Sequence, residues 1–302
     1  MSGHVPVMLA EVLQALAPKD GAHYVDGTFG GGGYARAILE AADCRVLGID
    51  RDPDAIARGA ALATQFAGRL TLVQGEFSRM GEFVDATDGI VLDLGVSSFQ
   101  FDEPARGFSF REDGPLDMRM SKDGQSAAEF VNSADEKTLA QVLSRYGEEH
   151  QARRIAHQIV LARPVTRTAE LAEIVLKALG PGARKLKIHP ATRTFQALRI
   201  LVNDELGELE RGLEAAEHVL APHSRLAVVS FHSLEDRIVK QFLSARSESV
   251  SRGSRHAPER RRATSPAFKI IKPRVPSDAE VRSNPRSRSA RLRAAEKLAL
   301  AA

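Results

Sequence analysis

The stretch HYVDGTFGGGGYARAILEAA, residues 23–42, decides the fold. A short apolar run closes on Asp26, glycines fill positions 30 through 33, and a helical pattern begins at once. Glycine lacks the Cβ that would hold a ligand away from the backbone, and it accepts angles closed to other residues. A helix start adds amide groups with no intrahelical acceptor. Strand, glycine turn and helix in succession are the layout of a nucleotide-binding loop at the carboxyl end of a parallel strand. Gly30, Gly32 and Ala35 also satisfy G-x-G-x-x-A, so the loop alone does not separate a dinucleotide from another adenine nucleoside.

Working outward, CRVLGID (44–50), LTLVQGEF (70–77) and GIVLDLG (89–95) read as further short buried strands. Helical patterns lie between them, in PDAIARGAALATQFA (53–67) for one. The alternation predicts an α/β fold with a parallel sheet and ligand groups at the strands' carboxyl ends. Asp50 closes the second strand, where a carboxylate can accept from two ribose hydroxyls; Asp52 is the better N-cap for the helix opening at Pro53. Phe77 ends the third strand and is either an adenine-stacking ring or ordinary core. Asp93 ends the fourth and is either a ligand group or a turn cap.

Helical periodicity then takes over in residues 126–147, 148–162 and 166–180. A further long helix is expected over 192–220, where Phe195, Leu198, Ile200, Leu201, Leu206 and Leu209 recur at helical spacing. Strand character returns at SRLAVVSFHS (224–233), FKIIKP (268–273) and SARLRAA (289–295), and Arg246 to Pro266 reads as a loop. The helical block is expected to be an insertion: residues 1–110 and 210–302 form one discontinuous domain, and 111–209 form an inserted all-helical domain.

Composition bounds the rest. A chain of 302 residues, 43% hydrophobic and 27% charged, is globular. The single cysteine, Cys44, excludes an intramolecular disulfide and suits a reducing compartment. The N-terminal run carries Glu11 and no basic leader, and no apolar run reaches membrane length, so a soluble cytoplasmic protein is expected. Net charge is only +3, yet Arg252, Arg255, Arg260, Arg261, Arg262, Arg274, Arg282, Arg286, Arg288, Arg291 and Arg293 crowd the last part of the chain, which points to a polyanionic partner. Lys185, Lys187, Arg193 and Arg199 are further candidates for phosphate contact. The histidines have no metal-ligand spacing, so no metal is expected.

Six strings, YVDGTFGGGG (24–33), GIDRDPDAI (48–56), GIVLDLGVSS (89–98), RGFSFREDGPLDMRM (106–120), HPATRTFQALRI (189–200) and SFHSLEDRIVK (230–240), resemble those of the MraW/RsmH family of 16S rRNA cytosine-N4 methyltransferases. The resemblance runs from His4 to about Arg293. It implies a Rossmann-like S-adenosylmethionine-dependent methyltransferase domain interrupted by a helical substrate-recognition domain, acting on a decoding-region cytidine of the small ribosomal subunit. Carried over by position, cofactor contacts fall on Gly32, Gly33, Tyr34, Asp50, Phe77, Asp93 and Gln100. Tyr34 stands where the family has histidine, and Phe99 where it has proline. A backbone contact at position 34 would make the first departure harmless; the second bears on the loop holding Gln100.

A cytosine N4 amine is a weak nucleophile because its lone pair is delocalised into the ring, and a group accepting its N–H hydrogens helps to localise that pair. Asp93, Ser97 and Ser98 are the candidate acceptors, with His232 either lining a pocket for the extruded base or serving structurally. Methylation at C5 would need a cysteine nucleophile, and Cys44 begins an interior strand. Two other classes stay open on the residues: an NAD-dependent oxidoreductase and a non-enzymatic RNA-binding assembly factor.

Overall fold

The computed structural model describes residues 6–182, 189–247 and 266–299. The expected loop from Arg246 to Pro266, the arginines from Arg252 to Arg262, and Lys185 and Lys187 lie wholly or mostly outside the described residues. Two compact units emerge, residues 1–95 with 207–302 and residues 96–206.

The first unit is built on seven strands: β1 (His23–Asp26), β2 (Arg45–Asp50), β3 (Leu70–Gln74), β4 (Thr87–Asp93), β5 (Leu220–Ser230), β6 (Phe268–Arg274) and β7 (Arg291–Lys297). They form one sheet in the order β3-β2-β1-β4-β5-β7-β6. The first five run parallel, and β7 is antiparallel to both β5 and β6. This is a Rossmann-like α/β sheet whose order reverses between β1 and β4, the place where such folds bind ligands. Helices α1 (Leu9–Leu16), α2 (Gly33–Ala41) and α3 (Pro53–Gln65) belong to this unit.

The central strands are buried on both faces, and alternate residues serve opposite cores. Tyr24, Val91, Ala227 and Val229 pack with Val12, Leu16, Ile38 and Leu39 on the side of α1 and α2. Val25, Ile90, Leu92, Leu226 and Val228 pack with Leu209, Leu213, Val239 and Phe242 on the other side. Asp52 caps α3 by accepting from the Asp54 amide at 2.9 Å, with Pro53 at the first helical position, as expected. Cys44 is buried and free at the start of the interior strand β2. Among the described residues no helix is long and apolar enough to cross a membrane.

The second unit is helical: α4 (Ser98–Asp102), α5 (Ala127–Ser133), α6 (Glu136–Gly147), α7 (Ala152–Leu161), α8 (Thr168–Leu179) and α9 (Ala191–Val202). Its first junction, at 95/96, precedes the 110/111 break expected from the sequence, because Phe108, Leu116, Met118 and Met120 are buried with Leu143, Ile155, Val175 and Phe195 in the helical core. The helix expected over 126–147 is two, since Asp135 caps α6 by accepting from the Thr138 amide. The helix expected over 192–220 is also two, α9 and α10 (Glu205–Val219). Asn203 ends α9: its side-chain amide donates to the Met118 carbonyl and accepts from the Met120 amide, while Asp204 takes a left-handed φ of 46°. Helical periodicity carries on through this break because the apolar spacing on either side is unaffected. α11 (Ser233–Ala245) and α12 (Asp278–Ser283) complete the first unit.

Candidate active site

At the carboxyl end of the parallel strands, the glycine turn and three carboxylates come together through the backbone. Gly30 and Gly32 have φ of 52° and 74°, angles that favour glycine. Space left by the missing Cβ atoms of Gly32 and Gly33 is filled by the chain itself: a Cβ would meet Phe29 and Leu62 at 2.7 Å in one case and Pro6 at 2.3 Å in the other. These two glycines therefore serve packing as well as any ligand. Gly32 caps α2, and Gly33 and Tyr34 open it with amides that have no intrahelical acceptor. The Tyr34 side chain turns into the core, where its hydroxyl donates to the Val7 carbonyl; burial pushes its pKa well above the usual phenol range. Only the backbone at position 34 is left to face a ligand.

Asp50 fastens this turn. One carboxylate oxygen accepts from the Gly30 amide at 2.7 Å and the other from the Asp52 amide at 2.8 Å. Burial raises its pKa, against the lowering effect of those amides. A carboxylate has about four acceptor sites, so two such bonds leave room for ribose hydroxyls.

Asp26 is a site residue that the sequence reading passed over as a strand end. It is fully buried, accepts from the amides of Thr28 at 3.3 Å and Ala35 at 3.2 Å, and so anchors the start of α2. Burial, and secondarily the Asp50 charge, lift its pKa to about 7. The signal available in the sequence was an acid placed directly before a glycine-rich turn.

Asp93 ends β4, and its amide donates to the Thr28 hydroxyl at 2.6 Å. Among the described residues its buried Oδ1 has no hydrogen-bond partner. Burial drives its pKa well above the usual carboxylate range, and the charges of Asp26 and Glu235 push the same way.

Phe77 lies just past β3, opening a 3-10 turn over Phe77–Glu82. Gly212 of α10 admits it, since a Cβ there would stand 2.0 Å from the ring. Glu208, one turn earlier and 2% exposed, accepts from the Ser78 amide at 2.9 Å. The ring is partly buried, so the stacking and core readings are both compatible with its place.

His232 caps α11 in a reciprocal box: its Nδ1 faces the Glu235 amide at 3.5 Å, while the Glu235 carboxylate accepts from the amides of Phe231 at 2.7 Å and His232 at 3.2 Å. Nε2 lies 3.1 Å from the other Glu235 oxygen but, like Asp93 Oδ1, is buried with no hydrogen-bond partner among the described residues. The cap bonds serve the structural reading of this histidine, while its unbonded Nε2 keeps the pocket reading open. In the second unit, Ser97 caps α4 and Gln100 answers it: the Ser97 hydroxyl accepts from the Gln100 amide at 3.2 Å, and the Gln100 side chain accepts from the Ser97 amide at 3.0 Å. Ser98 is the first residue of that helix, and Phe99 is 45% exposed.

Of the arginines singled out as phosphate contacts, Arg199 is held by the Glu205 carboxylate at 2.7 and 2.8 Å, and Arg293 by Asp236 at 2.6 and 3.0 Å. Both are tied up in half-hidden ion pairs. Arg193 donates to the Glu148 carbonyl at 3.3 Å.

A model of the MraW methylase family matches residues 1–298. The chain belongs to that family. A relative from Parvibaculum lavamentivorans (strain DS-1), named ribosomal RNA small subunit methyltransferase H, is 57% identical, with 99% of this chain and 90% of that one aligned. A protein of the same name from Rhizorhabdus wittichii is also 57% identical, over 99% of this chain and 94% of its own. One from Paramagnetospirillum magneticum (strain AMB-1) is 55% identical, over 98% and 96%.

Proposed function

We propose that this methylase transfers the methyl group of S-adenosylmethionine to the N4 amine of a decoding-region cytidine in 16S rRNA. The observation that carries the reading is Asp93, whose buried oxygen lacks a partner at the carboxyl end of β4, beside the acids and glycine turn that suit a nucleoside cofactor. The residues fit S-adenosylmethionine: Asp50 has acceptor sites left for the ribose, Phe77 a ring for the adenine, and the first amides of α2 are available to the cofactor. Burial favours the neutral forms of Asp26 and Asp93, and a neighbouring sulfonium would favour their ionised, complementary forms.

When bound, the cofactor supplies an electrophilic methyl on a good leaving group, so the protein's share is chiefly alignment. Asp93 accepts from the N4 amine, localises its lone pair and holds the proton that N4 gives up, with Ser97 and Ser98 following in the chain as further acceptors. His232 and Glu235 fix the start of α11, near enough for the Glu235 charge to bear on Asp93. The cytidine has to leave its stack to reach the methyl group. Gln100 is given to the cofactor side by the family resemblance alone, since its cap bonds in α4 are to Ser97.

The test is methyl transfer from labelled S-adenosylmethionine to small-subunit particles lacking the modification, followed by nucleoside analysis. N4-methylated cytidine is the expected product. Label on another nucleoside would overturn the target atom, and cofactor binding without any transfer would overturn the substrate.

A further inference from the structure

On the α1 side of the sheet, β6 and β7 leave a shallow groove of about 280 Å³. Its apolar floor includes Ile271, Leu292 and Ala294, and Gln14 and Ala15 of α1 form one wall. Four cations, Arg225, Lys269, Lys272 and Arg274, line it against the single carboxylate of Glu296. We propose that this groove holds the phosphate backbone of the RNA substrate.

The pairing of the strands explains the arrangement. Arg225 on β5, Glu296 on β7 and Lys269 on β6 stand at one level across the sheet. Glu296 is occupied by Arg225 at 3.6 Å, and the exposed Lys269 and Lys272 have no ion pair among the described residues. Arg274 donates to the neutral Gln14 side chain at 2.6 Å and has no ion pair among the described residues. β6 is the last strand in the sheet order, and among the described residues only an isolated bridge from Ser247 to Phe268, at its start, pairs with it from outside the named strands. Arg274 pairs in register with Leu292, which faces Val229. From the level of Arg225 to that of Val229 is four residues, about 13 Å at roughly 3.3 Å per residue. The cations thus climb the sheet edge toward its catalytic end.

Fixed cations along a groove bind a polyanion by releasing its counterions, without reading sequence. Lysines on an edge strand also guard it against pairing with another chain. The two roles respond differently to charge reversal. Glutamate guards an edge as lysine does but repels phosphate.

This inference rests on the proposed RNA substrate. The experiment uses the full chain with Lys269→Glu and Lys272→Glu together, and separately Arg274→Gln. Binding to unmethylated small-subunit particles is measured across a salt series, together with S-adenosylmethionine affinity and oligomeric state. The double variant is expected to bind particles at least about tenfold more weakly near 0.1 M salt, with the log–log salt slope shallower by about 1 to 2. Cofactor affinity and oligomeric state should match the parent chain. Arg274→Gln should give a smaller loss in the same direction. Unchanged particle affinity and slope would overturn the groove assignment while the parent chain still binds and methylates. Unchanged affinity in a double variant that also stays unassociated would reduce the lysines to edge guards. A parent chain that binds no particles would instead overturn the substrate reading.

Discussion

Replacing Gly212 by alanine sets two effects of known sign against each other. In a helix interior the change gains about 1 kcal/mol of intrinsic propensity. Here, however, the new Cβ would stand 2.0 Å from Cε2 and 2.3 Å from Cδ2 of Phe77, and ordinary carbon contacts lie at about 3.5–4.0 Å. The ring has to retreat by about 1.5 Å, and overpacking of this kind costs about 1–3 kcal/mol. Gly212→Ala is therefore expected to be neutral to about 2 kcal/mol less stable by urea unfolding. In a Phe77→Ala background the obstacle is gone, and the same change should stabilise by up to about 1 kcal/mol. If the ring stacks on the adenine, cofactor affinity follows it: stacking on a base contributes about 1–3 kcal/mol, so titration calorimetry should find S-adenosylmethionine bound about fivefold or more weakly by either single variant. If Gly212→Ala has the same effect on stability in both backgrounds, the ring is not what that glycine accommodates. If stability responds as argued and affinity does not, Phe77 is core and not an adenine platform.

Asp93→Asn removes a buried, unpartnered acid, so melting at pH 8 should be unchanged or higher while single-turnover methyl transfer falls by about a hundredfold or more; turnover like the parent's would end its assigned role. Tyr34→Phe deletes a buried hydroxyl bond to Val7 and should lower unfolding free energy by about 1 kcal/mol without changing cofactor affinity; a weakened affinity would place the tyrosine side chain at the ligand. Asp26 binds its proton more tightly in the folded chain, with a pKa of about 7 against an ordinary aspartate's value of about 4, so its contribution to stability declines as pH rises from about 4 to about 7, by up to about 4 kcal/mol. Asp26→Asn should flatten that slope in urea titrations across the pH range, and an unaltered slope would count against the shift.

Most of the sheet was legible because its strands are short, buried on both faces and end on polar or glycine residues, which leaves an imprint at each of Asp26, Asp50 and Asp93. Breaks within the helical block were not legible. Asn203 ends α9 by clasping the backbone at Met118 and Met120, far back in the chain, and such a contact adds nothing to local periodicity. The junction at 95/96 was hidden for the same reason, since the segment carrying Phe108 and Met118 has no regular structure but packs with the helices. His232 and Gln100 were recognised as residues of interest, yet their hydrogen bonds are largely local cap bonds that the S/H-x-x-E/Q spacing could have suggested. Asp26 was visible as a strand end, but only its depth of burial makes it a titrating group near pH 7.

Asp26, Asp50 and Asp93 all have raised pKa values, chiefly from burial, and Glu235 adds its charge to Asp93. Such a set is costly to ionise on its own, and among the described residues no cation is paired with Asp26 or Asp93. A ligand carrying positive charge lowers those pKa values, so by linkage it binds with loss of protons and binds more tightly as pH rises toward and past 7. S-adenosylmethionine carries that charge on its sulfonium, whereas the demethylated product is a neutral thioether. The affinity of the first should therefore increase from pH 6 to pH 8 while that of the second stays nearly flat, as measured by titration calorimetry in buffers of differing ionisation enthalpy. If the acids sense the sulfonium, methyl transfer would remove the charge that they complement and so favour release of product over substrate. Equal pH dependence for the two ligands would mean that the carboxylates do not sense the sulfonium and hold their raised pKa values for the fold alone.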